Sequence, residues 1–474
     1  MLVSKVTSTP RFSSSLLLDM GGTGGRLDLT TNDGKSFTIP VEEDVFMGAV
    51  NVPFRTLSKQ DLGTFLTTLV DKFIEARFPK DAAKKRLFEV GPNNEKMTIE
   101  QVLKKDPLDK IVVSSRGQVK YNEQNRPYLN DMVLPAYVTQ VDIMSSLANK
   151  VTERFKQAGL GDLVNAEKLK NKGIIINDAM ASVIGLAHKL ETESGKPLTP
   201  ETPPVVLLDV GSGIATGGID GHILYTGEGQ NARVWLKPAF DDKTFVASKV
   251  MPESFEESGA LRGITYQTID VLKNMSIAKR LSHPIYKKIK AAATASSSKG
   301  NGETKNMDVF DTSFEKTPTL ILKDSAWKNG WVNQQEVFKL YFENPTDNLS
   351  QTVMNRFYDG LAALASVQLL GHLAKKVYLQ CIDYENALDK VNEKRKAAGG
   401  VALANPLAME INQRLWAKYL DRGIAQVNTD QNAVELVTLR NNTGTGYLAY
   451  KFKPDSKASW VLNGIDEKRL RDLH

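Results

Sequence analysis

Apolar residues along this chain fall either into short unbroken runs or into longer stretches with a helical period. The runs at 16–18, 111–113, 174–176, 205–208 and 434–439 are bounded by polar or glycine-rich segments and predict buried strands. Leu62, Phe65, Leu66, Leu69, Val70 and Phe73 recur at helical spacing and predict a helix within 57–78. Further helices are predicted over 141–157, 179–190, 351–380 with a break near Gly371, 385–398, 405–420 and 464–474. Ala179, Ala181, Ser182 and Gly185 give the helix at 179–190 a small-residue face suited to close packing, and Trp416 sits on the apolar side of 405–420. Residues 79–108 are charged and carry no clear period, and 291–306 reads as a small, polar, mobile loop. Turns are expected at 32–35 and 441–446.

The stretch around which the rest is organised is 16–28. An apolar strand ends in Asp19; Gly21, Gly22, Gly24 and Gly25 follow, interrupted by Thr23; a returning strand begins at Arg26. Glycines let backbone N–H groups approach an anion closely, and a strand-end carboxylate can hold a cation. Taken alone, an ordinary glycine-rich hairpin accounts for the stretch equally well. The segment 205–219 repeats the pattern: an apolar strand, Asp209, a loop of Gly211, Ser212 and Gly213, and a return through Gly217 and Gly218. Two such hairpins, each opening one half of the chain, predict two related α/β domains facing each other across a cleft. The division is a flexible lead-in at 1–15, a first domain at 16–190, a polar, proline-rich linker at 191–204 and a second domain at 205–474. The C-terminal helix is expected to pack back on the first domain.

Composition narrows the function classes. A 474-residue chain with 41% hydrophobic residues can build two cores. A net charge of +6 weakly favours anionic ligands without implying nucleic acid. One cysteine, Cys381, excludes an internal disulfide framework and a cysteine-rich zinc site. There is neither an eighteen-residue apolar run nor a signal-peptide core at the N-terminus, so a cytoplasmic protein with no membrane partner is expected.

Phosphoryl transfer from a nucleotide needs donors on the phosphates, a magnesium ion, and a base beside the attacking hydroxyl. The loops 19–26 and 209–218 offer the donors, and Asp19 and Asp209 the carboxylates for Mg2+, which keeps most of its water. Asp178, closing the apolar run 173–176 together with Asn177, is the candidate base, and Asn177 can orient a substrate hydroxyl. Plainer roles stand beside these: Asn177-Asp178 is a good helix N-cap, and Asp209 is a strand-end acid. His222, His283 and His372 have no partner at ligand spacing. The basic clusters at 273–290 and 390–396 read as solvated helix faces, and the tryptophans as core.

Asp19-x-Gly-Gly-Thr23-x-x-Arg26 resembles the first phosphate motif of the hexokinase–actin superfamily, and more narrowly that of the ROK family and bacterial glucokinases. The turn 111–119 resembles that family's SxxGPVD, Asn125-Arg-Pro-Tyr128 its N-x-P-W sugar contact, and Asn177-Asp178-Ala179 its catalytic triplet. Asp209-Val-Gly-Ser-Gly213 with Gly217-Gly218 resembles the second phosphate motif, and Asp220-Gly221-His-Ile-Leu the segment that follows it. The resemblance spans about 16–230 in the family's order. It implies two RNase-H-like domains of the actin-like ATPase kind, a cleft that closes on ATP and sugar, and ATP and Mg2+ as cofactors. It further implies phosphate contacts at Gly22, Thr23, Ser212 and Gly213, sugar contacts at Asn125 and Asn177, and Asp178 as the base that deprotonates a sugar hydroxyl.

There are departures. Gln118 and Lys120 stand where the turn has Pro and Asp, and 226–235 lacks the family's Glu-x-x-His sugar grip, leaving Glu228 as a substitute. The zinc cysteines are also missing, and no winged-helix segment is expected in residues 1–15. The expected function is an ATP- and Mg2+-dependent kinase of a hexose or related sugar. The alternatives are a nucleotide-binding regulator without catalysis and a kinase of a non-sugar hydroxyl compound.

Overall fold

The computed structural model describes residues 14–21, 24–30, 50–54, 57–81, 85, 87–90, 95–123, 127–130, 134–171, 173–227, 233–234, 253–254, 258–297, 312–420, 432–439 and 460–462. By internal contacts the chain forms two compact units, one of Met1–Thr202, Ile219–Thr226 and Leu439–His474, the other of Pro203–Gly218 and Gly227–Thr438.

The first sheet is built from β1 (Ser14–Gly21), β2 (Gly24–Thr30) and β3 (Val50–Pro53), which are followed by α1 (Leu62–Arg77). The interval 79–108, which showed no period, holds a short hairpin, β4 (Leu87–Val90) and β5 (Glu95–Thr98), and α2 (Ile99–Lys105), which starts with a reciprocal Thr98/Gln101 capping box. Then come β6 (Leu108–Ser115), the hairpin β7 (Gln118–Tyr121) and β8 (Pro127–Asn130), α3 (Ile143–Gln157), α4 (Ala166–Asn171), β9 (Gly173–Asn177) and α5 (Asp178–Ser194). The strand order is β3-β2-β1-β6-β9. Strands β1, β2 and β3 run antiparallel, while β6 and β9 add in parallel. That is the RNase-H-like arrangement. Strand β1 begins at Ser14, so the last two residues of the expected lead-in are buried sheet.

The central strands are apolar on both sides because both faces of the sheet are covered. Leu16, Leu18, Met20, Ile111 and Val113 pack with Phe65, Leu69 and Phe73 of α1 and with Leu147, Val151 and Phe155 of α3. Leu17, Val112, Ile174 and Ile176, which alternate with them, are also buried. Asp61 caps α1 through the Thr64 N–H at 2.8 Å, and Asp142 caps α3 through the Ser145 N–H at 2.9 Å.

The second sheet starts with β10 (Val205–Val210), β11 (Ile214–Asp220) and β12 (Ile223–Gly227). After the short pair β13 (Arg233–Val234) and β14 (Glu253–Ser254) come α6 (Leu261–Asn274), α7 (Ile277–Ser282), α8 (Pro284–Ser297), α9 (Thr312–Lys316), α10 (Thr319–Lys328), α11 (Gln334–Glu343) and α12 (Asn348–Gly371). The last described elements are β15 (Lys376–Gln380), α13 (Ile382–Ala397), α14 (Leu407–Arg414), β16 (Val434–Leu436) and β17 (Val461–Leu462). The strand order is β16-β15-β10-β11-β12-β17. Three residues join β10 to β11 and two join β11 to β12, so these neighbours form hairpins; β15 and β16 add in parallel. Leaving out β17, the order repeats that of the first sheet. Val206, Leu208, Val210, Val377 and Leu379 share one core with α6 and with α12, most of whose residues are buried.

Three expectations change. Residues 291–297 belong to α8, and the remainder of the proposed loop lies outside the described residues. Arg280, in the first basic cluster, is buried against Tyr286 and Phe314 and paired with Glu315. Residues 376–380, the end of the helix expected over 351–380, form strand β15. His283 is a satisfied histidine, hydrogen-bonded to Asp347 at 3.0 Å. The predicted helix at 464–474 and the turns at 32–35 and 441–446 lie outside the described residues. No described helix is long and apolar enough to cross a membrane.

Candidate functional site

In the first unit the polar residues gather where three neighbouring parallel strands end. Asp19 lies opposite Ser114 of β6 in register, and Ser114 Oγ donates to Asp19 Oδ1 at 2.9 Å. Ser114 is in turn opposite Ile176, and Ser115 opposite Asn177. Parallel strands lie about 4.8 Å apart, so the ends of β1 and β9 are about 10 Å apart, with β6 between them. On the other side of β1, Asp19 pairs with Arg26 across the hairpin, which makes the two side chains neighbours on one face.

Asn177 is the N-cap of α5. Its Oδ1 accepts the Ala179 N–H at 2.9 Å, and its Nδ2 donates to the Gly117 carbonyl at 3.0 Å. The carboxamide thereby ties the start of α5 to the turn after β6, where Gly117 needs its positive φ of 92°. Asp178 opens the helix, and its Oδ1 accepts from the same Ala179 N–H at 2.8 Å. A carboxylate in the first turn suits the helix dipole. The capping role is therefore realised, and it fixes both side chains at the rim of the sheet.

The second unit repeats the first relationship with other residue types. Asp209 lies opposite Gln380 of β15 in parallel register, and Gln380 Nε2 donates to Asp209 Oδ1 at 3.1 Å. The loop beyond is held by its own backbone: the Gly211 N–H donates to the Gly213 carbonyl at 2.8 Å, and the Leu261 N–H at the start of α6 donates to the Gly211 carbonyl at 3.0 Å.

The glycines divide into two groups. A Cβ on Gly25 would stand 2.6 Å from Phe65 Cζ, and one on Gly24 2.7 Å from the Val52 carbonyl oxygen, so both are demanded by packing. Among the described residues, a Cβ on Gly21 would meet nothing within 4 Å, and one on Gly211 only the Gly213 carbonyl oxygen, at 3.9 Å. Neither Gly21 nor Gly211 has a positive φ. Packing and backbone conformation thus leave these two glycines without a reason, and each stands beside a strand-end aspartate. Open space of this kind in front of a loop is what close approach of an anion to backbone N–H groups requires.

Gly22, Thr23, Asn125 and Glu228 lie outside the described residues. Among the described residues no three metal-ligating side chains cluster, and a hydrated Mg2+ needs only one or two carboxylates. Asp19 and Asp209 are each, within their own unit, a single strand-end carboxylate of the kind such an ion can use. Ser114, Gln380 and the pair Asp28–Arg77, which anchors β2 to α1, escaped the sequence reading. Ser114 was inside the turn motif, but its pairing with Asp19 depends on the β1–β6 register, which no local pattern carries.

No protein-family model matches the chain, and no curated protein matches it significantly. Solved structures do resemble it. Glucokinase from Balamuthia mandrillaris in complex with glucose is 10% identical, covering 93% of this chain and 94% of that one at a TM-score of 0.46. The ROK hexokinase from Thermus thermophilus is 14% identical over 93% and 100%, with a TM-score of 0.38. A ROK family glucokinase from Streptomyces griseus, in complex with glucose and AMPPNP, is 12% identical over 92% and 97%, with a TM-score of 0.39. With TM-scores below 0.5 these likenesses carry no weight for function; the fold rests on the strand orders above.

Proposed function

We propose that this chain is an ATP- and Mg2+-dependent kinase that transfers the γ-phosphoryl group to a hydroxyl of a hexose or related sugar. The observation that carries the reading is the pair Gly21 and Gly211: two glycines that neither packing nor φ requires, each beside a strand-end aspartate, in two sheets of the same strand order. The order of motifs from 16 to 230 supports it.

In this reading, backbone N–H groups at 22–23 and 212–213 would hold phosphate oxygens, and Asp19 and Asp209 would each offer a carboxylate to hydrated Mg2+. The ion, when bound, offsets charge on the phosphate oxygens. Asp178 accepts the proton of the sugar hydroxyl as its oxygen bonds to the γ-phosphorus, and ADP departs with the electrons of the broken P–O bond. Anchored at both ends of its amide, Asn177 keeps the β9–α5 junction still, so that Asp178 need not be ordered when substrate arrives.

The test is ATP consumption with Mg2+ across a panel of hexoses, hexosamines and polyols, with Asp178→Ala as control. Turnover on at least one sugar, lost in Asp178→Ala, is the expected result. The capping contacts of Asn177 and Asp178 favour a second reading, a nucleotide-binding protein without transfer. Tight ATP binding with no turnover on the panel selects that reading. Turnover confined to non-sugar hydroxyl compounds selects the third.

A further inference from the structure

The two units make the same contact with different side chains. On the parallel neighbour of each first strand, a donor stands in register with the aspartate: Ser114 against Asp19 at 2.9 Å, Gln380 against Asp209 at 3.1 Å. Both donors are nearly inaccessible, Ser114 at 2% and Gln380 at 3% exposure. They end runs of Ile-Val-Val and Val-Tyr-Leu, where another apolar side chain would continue the strand at no desolvation cost. A buried amide is tolerable when it is hydrogen-bonded, and Gln380 directs its N–H to Asp209. Since an amide N–H only donates, the contact holds one carboxylate oxygen and sets the direction of the other.

We propose that Gln380 is a positioning residue for Asp209, aiming its carboxylate for hydrated Mg2+ on the nucleotide, as Ser114 does for Asp19. The proposal rests on the kinase reading and adds to it a residue outside every motif. Gln380 acts through Asp209 rather than by a contact of its own with nucleotide or acceptor. Its effect appears in the metal dependence of nucleotide binding, not in the nucleotide contacts themselves.

The experiment is calorimetric titration of the full-length chain with ATP, first without Mg2+ and then at stepped MgCl2, for wild type, Gln380→Met and Gln380→Leu. Both substitutions keep an unbranched or similar volume and remove the donor. The expected result is a tenfold or greater rise in the Mg2+ concentration that half-saturates the binding enhancement, with Mg2+-free ATP binding within twofold of wild type. Ser114→Ala is expected to shift the Mg2+ titration in the same direction. Variants whose Mg2+ curves superimpose on that of wild type overturn the positioning role alone. So do variants that lose Mg2+-free and Mg2+-dependent binding equally, since that marks a merely structural glutamine. If Gln380→Met does not fold, Gln380→Leu carries the same expectation, and Ser114→Ala decides the matter if neither does. A wild-type chain that binds no ATP overturns the kinase reading itself.

Discussion

Arg77, in the last turn of α1, places Nη2 2.8 Å from both carboxylate oxygens of Asp28 on β2. The two side chains are 10% and 3% exposed. Burial pushes the Asp28 carboxyl up from its ordinary 3.8, against the pull of Arg77 and of the Leu29 N–H. Arg77→Met leaves a buried carboxylate unpaired, and is expected to cost about 3–5 kcal/mol at neutral pH. With the pull of Arg77 gone and only the Leu29 N–H opposing burial, the folded-state pKa of Asp28 rises further above its unfolded value. Stability in the variant therefore falls as pH rises through that window and recovers toward acid pH. Urea titrations at several pH values check this. Asp28→Asn in the Arg77→Met background is expected to recover most of the loss.

Asp347 caps α12 through the Ser350 N–H at 2.8 Å and holds His283 Nε2 at 3.0 Å, while His283 Nδ1 accepts the Ile285 N–H at 3.2 Å. Burial works to raise the Asp347 carboxyl, but the bonds from His283 and Ser350 outweigh it, so it lies below the ordinary 3.8. Its contribution is present above the unfolded value and is lost as pH falls through the folded one. Asp347→Ala is expected to lower stability by about 1–2 kcal/mol at pH 7, with a smaller difference in strong acid. Thermal melts of the two proteins across pH measure it.

Burial lowers His188, on α5, from 6.5 to about 4. Between those values the unfolded chain binds the extra proton and the folded one does not, so stability drops as pH falls from 6.5 toward 4. His188→Gln is expected to flatten that limb of the melting curve while leaving the melting temperature at pH 8 nearly unchanged.

The glycines make opposite predictions for folding. Gly25→Ala pushes a methyl group against Phe65, and Gly24→Ala pushes one against the Val52 carbonyl, so each is expected to destabilise by about 1–3 kcal/mol. Gly21→Ala and Gly211→Ala meet open space and are expected to stay within about 0.5 kcal/mol of wild type. Equilibrium unfolding of the four variants separates the two groups.

Much of the architecture was legible because it is written in local pattern. The runs at 16–18, 111–113, 174–176 and 205–208 are buried on both faces and so read as strands, and the repeat of acid plus glycine loop announced two sheets of one order. Helix boundaries shifted where caps decide them, as at Asp61 and Asp142. The hairpin β4–β5 and α2 stayed hidden because they lie in a charged stretch whose apolar positions are too few to show a period. At the site, Asp19, Asn177 and Asp178 were legible as strand ends. Ser114 and Gln380 were not, since they meet their aspartates only through register between strands 95 and 171 residues apart in sequence.

The most direct measurement is calorimetric binding of ATP with Mg2+ to wild type, Gly21→Ala and Gly211→Ala, each shown to be folded. The account predicts binding to the wild type and at least tenfold weaker binding to each variant. Affinity unchanged in both variants, or no binding to the wild type, contradicts it.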